Sequence, residues 1–246
     1  RGVGTQMKRC VILASGPVEE PGSLRPLLRE GDFYIAADGG LRLAARLGIA
    51  YLDTGALYRA VGMKAFEEGV SPEDEAALSD MLSGTELDAV CSQGGAPRVL
   101  LDGRDVTDEL RTQVIADMAS RVSAQGVVRA WLLDRQRELA RARDAILDGR
   151  DIGTQVFPDA EVKIYLTASA GVRAQRRMEQ LCAAGRPAEY GDVLREVNER
   201  DERDMNRAVS PLRRAEDAYL IDSSDMTIDE VVDAILNRVA QAQARS

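Results

Sequence analysis

Asp38-Gly39-Gly40-Leu41-Arg42-Leu43-Ala44-Ala45-Arg46-Leu47-Gly48-Ile49-Ala50-Tyr51-Leu52-Asp53-Thr54-Gly55, or DGGLRLAARLGIAYLDTG, carries the grammar of the whole chain. Phe33 to Ala37 reads as a short strand closed by the Asp38-Gly39-Gly40 turn. Leu41 to Leu47 has apolar residues at helical spacing, and Gly48 is a natural helix stop. Tyr51-Leu52 starts another strand. Ala56 to Glu68 follows as a helix with Leu57, Val61 and Ala65 on one face. Strand, helix, strand, helix in so short a span predicts a parallel sheet covered by helices.

Outward from this stretch the alternation continues. Arg9 to Ser15 is an apolar run of the buried-strand type. As a strand additional to that alternation, it is expected at a sheet edge, where an unpaired ladder invites aggregation. Leu24 to Arg29 reads as a brief helix. Leu87 to Ser92 and Arg98 to Asp102, separated by Gly94-Gly95-Ala96-Pro97, read as a hairpin, and about 72–112 looks inserted. Val114–Ala119 and Val127–Ala142 are helical, Ala145–Leu147 and Val162–Leu166 are strands, and Ala170–Ala184 and Tyr190–Met205 are helices. Tyr219–Ile221 is the last strand and Ile228–Ala242 the closing helix. The predicted fold class is α/β, a parallel sheet flanked by helices.

Bulk properties narrow the function. The chain has 246 residues, 45% hydrophobic and 30% charged, with a net charge of −9. Such a balance disfavours a general nucleic-acid binder, which carries a basic excess. No apolar run is long enough to span a bilayer. Cys10, Cys91 and Cys182 give neither a disulfide framework nor a metal knuckle, so a reducing cytoplasm is expected. The absence of histidine removes the Ser-His-Asp triad and the histidine-ligated zinc site.

Arginine is the informative residue. Arg59 lies one helical turn beyond Asp53-Thr54-Gly55. Arg150 sits in Asp148-Gly149-Arg150-Asp151, just after an apolar strand. Both fall at strand carboxyl ends, where open α/β sheets bind ligands. Arg173, Arg176 and Arg177 share one helix face, and Arg200, Arg203 and Arg207 recur at similar spacing among Asp201 and Asp204. Guanidinium groups grip phosphate through fixed paired donors, and phosphoryl transfer runs on positioning and charge stabilisation. Taken alone, arginines and acids three or four apart on a helix are solvated surface pairs worth little, Asp148 to Asp151 is a polar turn, and Thr54 is a helix cap. Ser120 and Arg129 carry no local mark.

The motifs in order change that balance. YLDTGALYRA (Tyr51–Ala60), DGRDVTDELRT (Asp102–Thr112), LDGRDIGTQVFPDAEVKIYLTAS (Leu147–Ser169) and ERDERDMNRAVSPL (Glu199–Leu212) together closely resemble bacterial cytidylate kinase, over about 51–246. The resemblance implies a P-loop nucleoside monophosphate kinase-like fold, with 72–112 as a nucleotide-binding insertion and about 170–190 as a lid. It implies transfer of the ATP γ-phosphoryl group to CMP or dCMP, with Mg²⁺. Arg59, Arg150 and Arg207 match residues holding the CMP phosphate, with the Thr54 hydroxyl beside them. Ser120, Arg129 and Asp151 match those reading cytosine, and Asp148 belongs to the same substrate-binding set. Arg200 and Asp204 match sugar contacts. Arg150 and Arg207, with Arg173 and Arg177 of the lid, would carry the catalytic charge stabilisation. The implied partner is a small nucleotide, without nucleic acid or membrane, and the chain is expected to be a monomer.

One part of that pattern is missing. The family opens with a strand, a glycine-rich loop ending in Gly-Lys-Ser/Thr, and a helix leading into YLDTG. Here Tyr34 to Gly39 stands where that strand would be and Leu41 to Gly48 where the helix would be, with almost no loop between them. An earlier candidate, Ser15 to Ser23, lacks the lysine, and Glu19 and Glu20 would repel a triphosphate. Met7 to Ile49 instead resembles the start of bacterial thiamine pyrophosphokinase, without the acidic Gly-Asp-Phe-Asp-Ser stretch that would bind Mg²⁺ there. The chain reads as a chimera, residues 1–50 of one kind and 51–246 of another. Strongly impaired phosphotransfer is therefore expected. The alternatives are a non-catalytic CMP-binding protein and, behind it, a thiamine pyrophosphokinase.

Overall fold

The computed structural model describes residues 10–15, 36–90, 98–141, 145–183 and 185–244. The expected helix at 24–29, the glycine-punctuated stretch after Ser15 and the turn at 94–97 lie outside them. The main sheet has five strands in the order β2-β6-β1-β7-β8. They are β1 (Cys10–Ser15), β2 (Ala50–Asp53), β6 (Ala145–Gly149), β7 (Val162–Thr167) and β8 (Tyr219–Asp222), and every pairing is parallel.

The first correction concerns β1. It is not an edge strand but the centre of the sheet, paired with β6 from Cys10↔Ala145 to Ala14↔Gly149 and with β7 from Val11↔Val162 to Ser15↔Leu166. The run Cys10-Val11-Ile12-Leu13-Ala14 has no polar alternation. That is what a parallel strand covered on both faces requires.

The second correction concerns 36–40. Ala36 to Leu47 is one helix, α1, so Ala36 and Ala37 are helical where a strand was expected, and Asp38-Gly39-Gly40 continues the helix in place of a turn; Phe33 to Ile35 lie outside the described residues. Gly40, Leu43, Ala44 and Leu47 recur at helical spacing, and this stripe packs onto the sheet. Gly40 is required there: a Cβ would collide with the Tyr51 ring. The glycine that looks like punctuation is a packing residue. The strand next to β6 and β7 in this sheet is β1, and Ala36 to Gly39 belong to α1.

Helices cover both faces. On one, α1 and α8 (Ile228–Gln243) bury Leu43, Ile146, Ile164, Ile221, Val232 and Ile235. On the other, α2 (Thr54–Glu67), α4 (Gln113–Val122) and α5 (Gly126–Arg141) enclose Leu57, Val61, Leu132, Leu147 and Ile152. Each such side chain contributes about 1.5–3 kcal/mol by leaving water. α2 and α4 approach closely at Gly62, where a Cβ would stand 2.7 Å from the Ala119 backbone nitrogen. Thr227 and Glu230 form a reciprocal cap that starts α8.

The hairpin exists as β3 (Leu87–Val90) and β4 (Arg98–Leu101), joined by β5 (Arg104–Asp105) in a separate three-stranded antiparallel sheet. A further helix precedes it, α3 (Glu75–Ser83), capped by Asp74 and burying Leu78, Met81 and Leu82. Lys64 of α2 ties this sheet to the body through Asp102 at 2.5 Å. The remaining helices are α6 (Ala170–Ala183) and α7 (Tyr190–Asn206), which pack on each other. Among the described residues, no helix is long and apolar enough to cross a membrane.

Candidate acceptor site at the strand ends

β2 and β6 are neighbours, so Asp53 and Asp148 end side by side. Asp53, not Thr54, caps α2: its carboxylate accepts from the Ala56 amide at 3.2 Å and from Arg59 Nη2 at 2.7 Å. That frees Thr54 for another task. Its buried hydroxyl donates to the Asp148 carbonyl at 2.7 Å. Gly149 follows because nothing larger fits: a Cβ would strike Thr54 Oγ1 and stand 2.8 Å from Ile152. The Asp148 side chain is held from the other side, where the Tyr51 hydroxyl donates to Oδ2 at 3.2 Å. Burial, then the nearby Asp148 charge, push the Tyr51 phenol well above its usual range, so it stays a neutral donor.

Beyond β6 the chain makes a wide helical turn, Ile152–Val156, whose amides converge on the Asp151 carbonyl. This turn directs the Asp151 carboxylate inward to Arg129 Nη2 in a buried ion pair. Arg129 also donates Nη1 to the Ser123 carbonyl at 3.0 Å and lies 5.4 Å from the centre of the Tyr58 ring. Two of the three expected cytosine readers are thus joined directly. The third, Ser120, is exposed on α4 and accepts from Arg203 Nη1 at 3.0 Å.

α7 gathers the arginines. Asp204 accepts from Arg150 Nε at 3.1 Å and faces Arg207 Nη1 at 3.7 Å. Arg207 donates Nε to the Ser210 carbonyl at 2.5 Å, while its Nη2 is buried with no hydrogen-bond partner. Burial, and then the Arg129 charge, lower the Arg207 pKa, although an arginine remains charged. A buried guanidinium with an open donor is a place for an anion. One turn back, Asp201 takes both terminal nitrogens of buried Arg173, whose Nε donates to the Ala168 carbonyl. Arg176 reaches the Ser223 carbonyl at 2.9 Å. Arg177 makes no polar contact among the described residues, and Arg200 is exposed.

The structure therefore brings Thr54, Asp148, Arg150, Asp204 and Arg207 into one cluster with Arg129 and Asp151, and places Arg59 beside it on Asp53. Arg173 meets Asp201, not Asp204. Sequence reasoning missed Tyr51, Tyr58 and Ser210. Tyr51 and Tyr58 lie inside the YLDTGALYRA motif and were legible there; Ser210 acts through its carbonyl, which no side-chain pattern reveals.

Comparison with known proteins places the chain in a family. The sequence model of the cytidylate kinase family matches residues 40–241. The chain is 44% identical to the cytidylate kinase of Carboxydothermus hydrogenoformans over 199 residues, 81% of this chain and 89% of that protein. It is 45% identical to that of Vibrio parahaemolyticus over 197 residues, 80% and 87% of the two chains. For the Pseudomonas aeruginosa protein the figures are 46% over 195 residues, 79% and 85%. The match begins at Gly40, the first buried residue of the α1 stripe, and takes in every residue of the cluster, so the chain belongs to the cytidylate kinase family.

Proposed function

We propose that the chain binds CMP or dCMP in this cluster and accepts the γ-phosphoryl group of ATP, brought with Mg²⁺, onto the bound phosphate. The observation that carries the reading is the Arg150–Asp204–Arg207 group with its open Arg207 donor, next to the Arg129–Asp151 pair. The guanidinium groups meet the phosphate. The Asp151 carboxylate accepts from the exocyclic amine of cytosine, which uracil lacks. Asp204 lies between the two arginines, where it orients both and is within reach of a sugar hydroxyl. The stretch of about 170–190, with Arg173 and Arg177 on α6, serves as the lid, and β3–β5 with α3 as the nucleotide-binding insertion.

The donor side is weaker. No Gly-x₄-Gly-Lys-Ser/Thr occurs in the chain, and its lysines are Lys8, Lys64 and Lys163. Lys64 is committed to Asp102 and Lys163 to Asp217, at 2.5 and 2.6 Å. Residues 16–35, which follow the central strand, contain Arg25 and Arg29 but no lysine. Removing one preorganised charge-stabilising donor costs about 10²–10³ in rate. Several are missing together, so turnover is expected to fall by roughly four orders of magnitude, with strongly non-additive contributions. A second reading, CMP binding without catalysis, is favoured by the same commitment of both lysines.

Calorimetric titration with CMP, UMP and ATP·Mg²⁺, followed by a turnover assay on the same sample, separates these readings. CMP binding, weak UMP binding and slow CDP formation are expected. Binding without any turnover selects the second reading. No CMP binding overturns both, and brisk turnover overturns the account of the donor side.

A further inference from the structure

Arg207 lies just beyond α7, in the stretch Asn206-Arg207-Ala208-Val209-Ser210-Pro211-Leu212. It has left the helix, with φ −61° and ψ 143°. A side chain leaving an extended residue next to solvent-exposed Ala208 and Val209 has many rotamers open to it. Yet its side chain is only 13% exposed, its Nη2 is buried, and its guanidinium is oriented. Something other than its own backbone fixes it.

That something is the turn at Ser210. Its φ is +49°, in the left-handed region, and it is not glycine. The next residue is proline, which further restricts the residue before it. Such a conformation persists only where the surroundings over-determine it. Two bonds do so here. The Leu212 amide donates to the Asp204 carbonyl at 2.8 Å, closing the stretch back onto α7, and Leu212 itself is buried. Inside this closed loop the Ser210 carbonyl receives Arg207 Nε at 2.5 Å. With Nε held and Nη1 facing Asp204, the plane of the guanidinium is set and Nη2 is left as the open, buried donor.

We propose that Ser210 is a positioning residue: its carbonyl, presented by the left-handed turn, holds Arg207 with Nη2 ready for the nucleotide phosphate. The inference rests on the reading of Arg207 as a phosphate holder. Ordinary backbone at Ser210 would rotate the carbonyl away from Nε and free the guanidinium to turn in its pocket. The charge would remain but its direction would be lost.

The test compares CMP with cytidine, which lacks the phosphate, by calorimetry on the full chain. A residue that merely supports the fold weakens both ligands together; a residue that aims Arg207 weakens CMP alone. Ser210→Val, β-branched and averse to the left-handed region, is expected to lower CMP affinity about tenfold or more, the worth of an aimed charge-assisted bond. Cytidine affinity should stay within about twofold. Ser210→Gly should keep the parent's CMP affinity, since glycine tolerates the conformation and keeps the carbonyl, and Ser210→Thr should fall between it and Ser210→Val; if the valine variant does not fold, the threonine variant decides. Arg207→Ala is the reference. If it leaves the CMP-to-cytidine ratio unchanged, the phosphate reading of Arg207 falls. If it collapses the ratio while Ser210→Val and Ser210→Thr leave it intact, the positioning role of Ser210 is overturned.

Discussion

Removing the Asp151 carboxylate tests the site and the fold at once. The Arg129 and Asp151 side chains are only 6% and 10% exposed. In Asp151→Ala, Arg129 keeps the Ser123 carbonyl and the face of Tyr58, while its Nε already lacks a partner. Water cannot easily replace the lost carboxylate, so a buried cation is left uncompensated. Breaking such a pair from one side costs about 3–5 kcal/mol. For a chain of this size that lowers the melting temperature by roughly 6–20 °C, at about 2–4 °C per kcal/mol. Urea unfolding should show the midpoint falling with the slope unchanged. In Arg129→Met/Asp151→Ala the orphaned charge is gone, and much of the loss should be recovered, giving a large coupling energy in the double-mutant cycle. A loss below about 1 kcal/mol in Asp151→Ala, the worth of an exposed pair, would refute the buried-pair reasoning. So would a double variant whose loss equals the sum of the single ones. Saturating CMP at about 100 times its Kd should add roughly 2.7 kcal/mol to the parent chain, and little to Asp151→Ala.

Gly149→Ala places a methyl group against Thr54 Oγ1 and 2.8 Å from Ile152; a loss of about 1–3 kcal/mol is expected from overpacking, with weaker CMP binding because the Thr54–Asp148 bond is displaced, and calorimetry plus thermal melting check both. Gly62→Ala gains about 1 kcal/mol of helix propensity but drives a methyl to 2.7 Å from the Ala119 amide nitrogen; backbone cannot swing aside, so net destabilisation by urea unfolding is expected. Tyr51→Phe should cost about 1 kcal/mol at neutral pH by leaving Asp148 short of a donor. Because burial raises the Tyr51 pKa in the folded state, the neutral phenol's contribution is full below about pH 10 and is lost as pH climbs through the raised value. The stability difference between parent and variant should therefore shrink above that pH, and unfolding curves at neutral and alkaline pH that stay parallel would contradict the assignment.

Much of this architecture was legible in the sequence, and the failures have identifiable causes. Local periodicity located α4, α5, α6, α7 and α8 and the strands β6 and β7, because each presents a regular apolar face. The antiparallel pair β3 and β4 was legible from two apolar runs flanking the sequence Gly94-Gly95-Ala96-Pro97. α3 was overlooked although Asp74 and the Leu78, Met81, Leu82 spacing announce it. At 36–40 the diglycine looks like a turn, and only the Tyr51 ring, brought back over α1 by β2, explains why a helix carries glycine at position 40. The site was half legible. Arginine spacing drew attention to the right helix but suggested partners on the same face. The acids of α7 instead take Arg173 from α6 and Arg150 from the end of β6. Long-range pairing of this kind follows from topology, which residue spacing does not encode.

An inner parallel strand needs apolar residues, two backbone ladders and a connection long enough to cross to the next helix, and it needs little else. Cys10–Ser15 meets those needs between β6 and β7 although its sequence precedes the family match at residue 40. It thereby completes the sheet whose neighbouring ends carry Asp53, Asp148 and Arg150. The Thr54, Asp148, Arg150 cluster depends on where those ends stand. Donor phosphates make the opposite demand, because their cradle is built from particular backbone amides and a lysine following the central strand. On the function proposed above, the segment before residue 40 keeps the sheet and the Arg150–Asp204–Arg207 cluster but offers no lysine between the central strand and residue 40 for a donor cradle. On that reading CMP binding is expected to survive where turnover falls, and titration with CMP beside a turnover assay reads the two apart.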